Sequence, residues 1–183
     1  MSLKEQQNLL ARLYTDSELR EDFFAEPDKI GLDFDLTRNE IAEIVEIAPQ
    51  ELEFFAESLF WKRLREAEKF IPLTVKALNQ DFHPLFRQFS QIFNPQSVKK
   101  HLEDALEFCR FLQKGEVSEI AQNIAVFEKT KLEFFGYGKR IAFCKLTCDI
   151  KPFLTEDCAE DVKRKRKFAV WIKLGNKIRH FYI

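Results

Sequence analysis

Glycine and proline are scarce in this chain of 183 residues, at 5 and 6, and long apolar runs are missing. The first scarcity excludes collagen-like and low-complexity architectures, and 45% hydrophobic with 32% charged residues is the composition of a packed fold. Nothing reaches the roughly 18 consecutive apolar residues that a bilayer span needs, so no membrane partner is expected. The opening MSLKEQQNLLARLYTDSELRE lacks a basic-then-apolar leader, and the expected location is the cytoplasm. The length suits one ordinary domain, or a helical domain with a small annex.

Reactive motifs are equally absent. There is no Gly-rich phosphate loop, no HExxH, no GxSxG and no paired zinc motif. His83, His101 and His180 are spread over different elements, so neither a catalytic centre nor a metal site is expected, and no cofactor is assigned. The four cysteines, Cys109, Cys144, Cys148 and Cys158, fit no disulfide framework. If RIAFCKLTCDI is a strand, Cys144 and Cys148 stand about 13 Å apart, too far for a bridge or a shared metal. Twenty phenylalanines invite a pocket for an apolar ligand, but most fall on helical stripes, where a dense aromatic core explains them.

What the chain does have is charge asymmetry under a net charge of −1. Residues 1–60 carry 5 basic and 15 acidic side chains, residues 61–138 carry 12 and 10, and residues 139–183 carry 12 and 5. An acidic front therefore faces a basic tail, and the tail is suited to an anionic partner.

Helical punctuation dominates the first two thirds. Thr15 with Glu18 and Thr37 with Glu40 have capping-box spacing, and Pro27 with Gly31 marks a loop between them. From Glu51 to Ile71, Leu52, Phe55, Ala56, Leu59, Phe60, Leu64, Ala67 and Ile71 recur at helical intervals, and Pro72 breaks or restarts the helix. Pro84 suits a first helical position after His83. Val98, Leu102, Ala105, Cys109 and Leu112 predict the buried face of a helix closed by Gly115, and another helix follows from Val117 to about Phe134.

After Gly138 the period changes to two. KFAVWIKLGNKIRHFYI predicts a hairpin turning at Gly175-Asn176, with Phe168, Val170, Ile172 and Leu174 on one face and Ile141 with Phe143 in a third strand. The expected fold is mainly α (α+β): a multi-helix bundle over residues 1–136 and a small C-terminal antiparallel β-sheet or hairpin with a basic loop over 137–183.

The basic run Lys163, Arg164, Lys165, Arg166 and Lys167 directly precedes the strand bearing Trp171. Such charge can guard an apolar strand against aggregation, hold nucleic acid by phosphate contact and stacking, or frame an edge strand that accepts an extended acidic peptide. Arg179 and His180 lie on the opposing strand and join this candidate partner-binding set.

Within SLFWKRLREAEKFIPLTVKALNQDFHPLFRQFSQIF and the helix that follows it, Lys62 and Arg63, then Phe70-Ile71-Pro72-Leu73, Asp81-Phe82, Leu85-Phe86 and a helix ending at Phe108 to Leu112 occur in one order. Glu128 after an aromatic residue extends it. This order resembles, over about 80 residues, a helical family regarded as DNA-binding domains, some of them partner proteins of iron-dependent peptide-modifying enzymes in methanobactin-type ribosomal peptide pathways. Asn79 departs from it by standing where a glycine is expected, and the acidic first fifty residues fall outside it. The resemblance implies a helical module with a small sheet that holds a peptide or the partner enzyme, and supplies no catalytic residue. The expected function is thus a non-catalytic accessory protein that binds a protein or peptide partner through its C-terminal sheet, with biosynthesis of a ribosomally made peptide as the setting; the alternative is a transcription-related DNA binder using residues 163–167.

Overall fold

The structure, a computed structural model, describes residues 3–155 and 164–183. It is mainly α with a three-stranded antiparallel sheet at the C-terminal end, as the change of period predicts. The chain divides into two compact units, residues 1–63 with 90–94, and residues 64–89 with 95–183.

The first unit contains α1 (Leu3–Leu13), α2 (Ser17–Ala25), α3 (Pro27–Asp33), α4 (Arg38–Val45) and the first part of α5 (Pro49–Phe70). Their apolar stripes meet in a core of Leu9, Leu13, Phe23, Leu36, Ile41, Ile44 and Leu52. The capping box at Thr37 forms in full: the Glu40 amide donates to Thr37 Oγ1, and the Glu40 carboxylate accepts from the Thr37 amide. The earlier cap falls one residue later than predicted. Asp16 accepts from the Leu19 amide at 3.0 Å, because Thr15 instead donates back to the Ala11 carbonyl and finishes α1. The segment read as a loop at Pro27 is the helix α3, with proline at its start; Gly31 is buried there, and a Cβ at this position would clash with the Ile41 side chain. Phe55 and Leu59, expected in the core, are partly exposed: Phe55 packs tilted on Tyr14, and Leu59 lines a shallow cavity.

The second unit contains α6 (Pro72–Leu78), α7 (Phe82–Ile92, its last residues in the first unit), α8 (Lys100–Lys114), α9 (Glu119–Gly136), β1 (Ile141–Leu146), the short α10 (Lys151–Leu154), β2 (Lys167–Leu174) and β3 (Lys177–Tyr182). Proline at position 72 opens α6, as predicted. Pro84 lies inside the first turn of α7 rather than at its first position. Phe82, Phe86, Phe89 and Phe108 interlock with ring centroids 5.1 to 6.0 Å apart, so these four phenylalanines fill core. Val98 is fully exposed, because α8 starts at Lys100 and leaves it in the connection.

Glu128 on α9 is buried, and its two carboxylate oxygens accept from the Leu73 and Thr74 amides at 3.0 and 2.7 Å. It thereby satisfies two donors at the start of α6 that have no partner within the helix. Burial holds this carboxyl above its ordinary range. Asn79 has φ 49° and ψ −122°, a conformation favoured by glycine.

Candidate functional site

The order of the strands is β1-β2-β3. Their register places Ile141 opposite Ile172, Phe143 opposite Val170, Val170 opposite Phe181 and Ile172 opposite Arg179. Because side chains alternate along each strand and paired residues share a face, the sheet has two unlike sides.

The inner side carries Ala142, Cys144, Leu146, Ala169 and Trp171, all buried, and shares a core with Ile124, Phe127 and Phe134 of α9. Its small residues let the helix approach. The outer side carries Ile141, Phe143 and Lys145 from β1, Phe168, Val170, Ile172 and Leu174 from β2, and Lys177, Arg179 and Phe181 from β3, continued by Ile183. Here bulky apolar groups face solvent: Ile141 is 62% exposed, Phe143 72% and Ile183 69%. No aspartate or glutamate occurs in any of the three strands. Among the described residues, Lys145, Lys177 and Arg179 form no ion pair, so the outer side is an apolar field with a cationic rim.

The sheet's free edges follow from the hydrogen bonds. Phe168 and Ile183 exchange both backbone bonds at 2.9 Å, which makes them a bonded pair. Alternation then assigns Val170–Phe181, Ile172–Arg179 and Leu174–Lys177 as the other bonded pairs, and leaves the amides and carbonyls of Ile178, His180 and Tyr182 pointing away from β2. Among the described residues these groups bond to no other segment.

The residues expected to bind a partner do not form one patch. Lys163 lies outside the described residues, as does Cys158. Arg164 donates from Nε to Glu119 at 3.1 Å, and Glu119 also accepts from the Thr147 hydroxyl at 2.7 Å. Lys165 and Arg166 are exposed. Lys167 turns inward, 3.9 Å from Asp149 and 5.5 Å from the centre of the Tyr182 ring. The Tyr182 hydroxyl donates to Asp149 at 2.8 Å and accepts from the Ile150 amide at 2.8 Å, which ties the end of β3 to the start of α10.

Trp171 does not offer its ring to a ligand. It is 3% exposed, packed on Phe127 at 5.0 Å and covered by His180, which stacks on it at 4.7 Å and 17°. The reason is parity: Trp171 pairs with Ala142 and His180, on the side that meets α9. Burial first, then the charge of Lys131, holds the His180 imidazole below its usual range. Among the described members of the expected set, Arg179 is the one that shares the apolar outer face of the strands.

Sequence reasoning missed Phe143, Lys145, Lys177, Phe181 and Ile183 as surface groups. Their signal was the shared parity of Ile141-Phe143-Lys145 and Lys177-Arg179-Phe181 with the face opposite Trp171. Cys109, Cys144 and Cys148 are buried free thiols, and burial pushes all three thiols up. Cys148 lies beyond the end of β1 rather than within it. Among the described residues no group of three His, Cys, Asp or Glu side chains is arranged to hold a metal, and no helix is long and apolar enough to cross a membrane. Compared with known proteins, the chain matches no family model and no curated sequence.

Proposed function

We propose that the protein is a non-catalytic accessory protein that recognises a peptide or a partner enzyme by taking an extended segment onto the edge of β3, in the modification of a ribosomally made peptide. The observation that carries this reading is the row of outward backbone groups at Ile178, His180 and Tyr182, unbonded among the described residues. Such an edge gives affinity through main-chain hydrogen bonds, and Lys177 and Arg179 beside it favour an acidic segment. Among the described residues the thiols of Cys109, Cys144 and Cys148 are buried, and the three histidines sit on separate elements, α7, α8 and β3. The nucleic-acid alternative has less support: Trp171 is unavailable for stacking, and Arg164 and Lys167 are occupied by Glu119 and Asp149.

The test is Ile178→Pro in the full chain. Proline there removes an outward donor and leaves the β2–β3 bonds intact, as on natural edge strands. A partner recovered with the tagged wild type, identified and purified, should bind this variant at least about tenfold more weakly and bind Ile178→Val normally. Equal binding to the proline variant, with an unchanged circular dichroism spectrum, overturns the reading. The expected partner is a peptide-modifying iron enzyme or its precursor peptide.

A further inference from the structure

We propose that the outer face of the sheet is a second docking surface, and that its occupant is an amphipathic helix of another protein whose apolar stripe is flanked by carboxylates. This does not rest on strand addition at β3; it concerns side chains on a face, not backbone on an edge. Ile141, Phe143, Phe168, Val170, Ile172, Leu174, Phe181 and Ile183 form a contiguous apolar field, and isolated apolar side chains are ordinary on a surface whereas a field of this extent marks contact.

Charge selects the partner. Lys145, Lys177 and Arg179 border the field, and the strands contain no carboxylate to answer them. A second copy laid face to face would set these cations against their own kind, so a symmetric dimer is disfavoured. A partner with glutamates or aspartates beside its apolar stripe neutralises all three. Dimensions select a helix: the outer strands lie about 10 Å apart, which is about one helix diameter. Strands of six to eight residues match roughly four helical turns. A helix there would complete a helix–sheet–helix stack, giving the second apolar face the cover that α9 gives the first.

The probe is a synthetic peptide of about 14 residues, with leucines at i, i+3, i+4 and i+7 and glutamates flanking them, and a twin in which lysines replace the glutamates. Fluorescence anisotropy with the full-length protein should show the glutamate peptide binding at least about tenfold tighter than the lysine twin, with helical circular dichroism appearing on binding. Phe143→Asp, and separately Ile141→Asp, should weaken the glutamate peptide by at least about tenfold, since both residues are exposed and their loss spares the core. Ile178→Pro should leave it unchanged, which separates this proposal from strand addition. Equal binding of the two peptides, binding of neither, loss through Ile178→Pro with Phe143→Asp silent, or a wild-type dimer that Phe143→Asp dissociates while the peptide does not bind, each overturns it.

Discussion

The two faces of one three-stranded sheet are both apolar, yet they meet opposite fates. The inner face is built from Ala142, Cys144 and Ala169 with the larger Leu146 and Trp171, and these residues are buried. The outer face holds phenylalanines, isoleucines and leucine, and it is open. Greater hydrophobicity therefore did not decide which side became core. Steric fit did: α9 can approach the one- and two-atom side chains of Ala142, Ala169 and Cys144 closely, and Leu146 and Trp171 fill the space beside them, Trp171 between Phe127 and His180. What is left outside is surface whose burial is still to be gained, and a partner can supply it.

The largest expected effect breaks this comparison directly. Trp171→Ala should cost about 3 to 5 kcal/mol in urea unfolding, because it empties a packed inner site. Phe143→Ala, on the face opposite, should change stability by no more than about 0.5 kcal/mol. If the two substitutions cost the same, the outer face is already buried in solution and the asymmetry described above is wrong.

That asymmetry also explains what could be read from the residues in advance. Capping at Thr37, the break at Pro72, the end of α8 at Gly115 and the hairpin at Gly175-Asn176 follow from local chemistry, and the structure contains each of them. Gly175 has the positive φ of 60° that a tight hairpin turn requires. The grouping of Phe168, Val170, Ile172 and Leu174 on one face was legible too, since period two needs only the chain itself. Which face would meet the helices was not, because alternation is silent on the partner layer when both sides are apolar. For the same reason Trp171 read as surface beside a basic run. Lys167 likewise read as free charge until Asp149 and Tyr182, distant in the chain, came beside it. The period changes after Gly138, yet the sheet belongs to the same compact unit as α8 and α9 and shares its core with α6 and α9.

A middle-sized effect sharpens the point about fit. Ala169→Leu adds three carbons where the sheet lies against α9, and should cost about 1 to 3 kcal/mol by overpacking. Val170→Leu adds one methylene next door on the outer side and should be nearly neutral. Thermal unfolding of the pair checks this, and a neutral Ala169→Leu would show that the inner spacing is looser than the buried, alanine-lined contact implies.

The smallest effect concerns pH, and it distinguishes the faces by chemistry rather than size. His180 covers Trp171 on the inner side, where burial and the charge of Lys131 hold its imidazole below the ordinary value of 6.5. In the unfolded chain it takes up a proton as pH falls through 6.5; in the folded protein it resists until a lower pH. Over that window the unfolded state binds more protons, so stability is intact above 6.5 and declines as pH falls toward the folded value. His180→Phe keeps an aromatic ring over Trp171 and removes the titration. Its melting temperature should therefore fall less than that of the wild type between pH 7 and about 5.5. Parallel curves for the two proteins would mean that the imidazole is as well solvated in the fold as in the free chain.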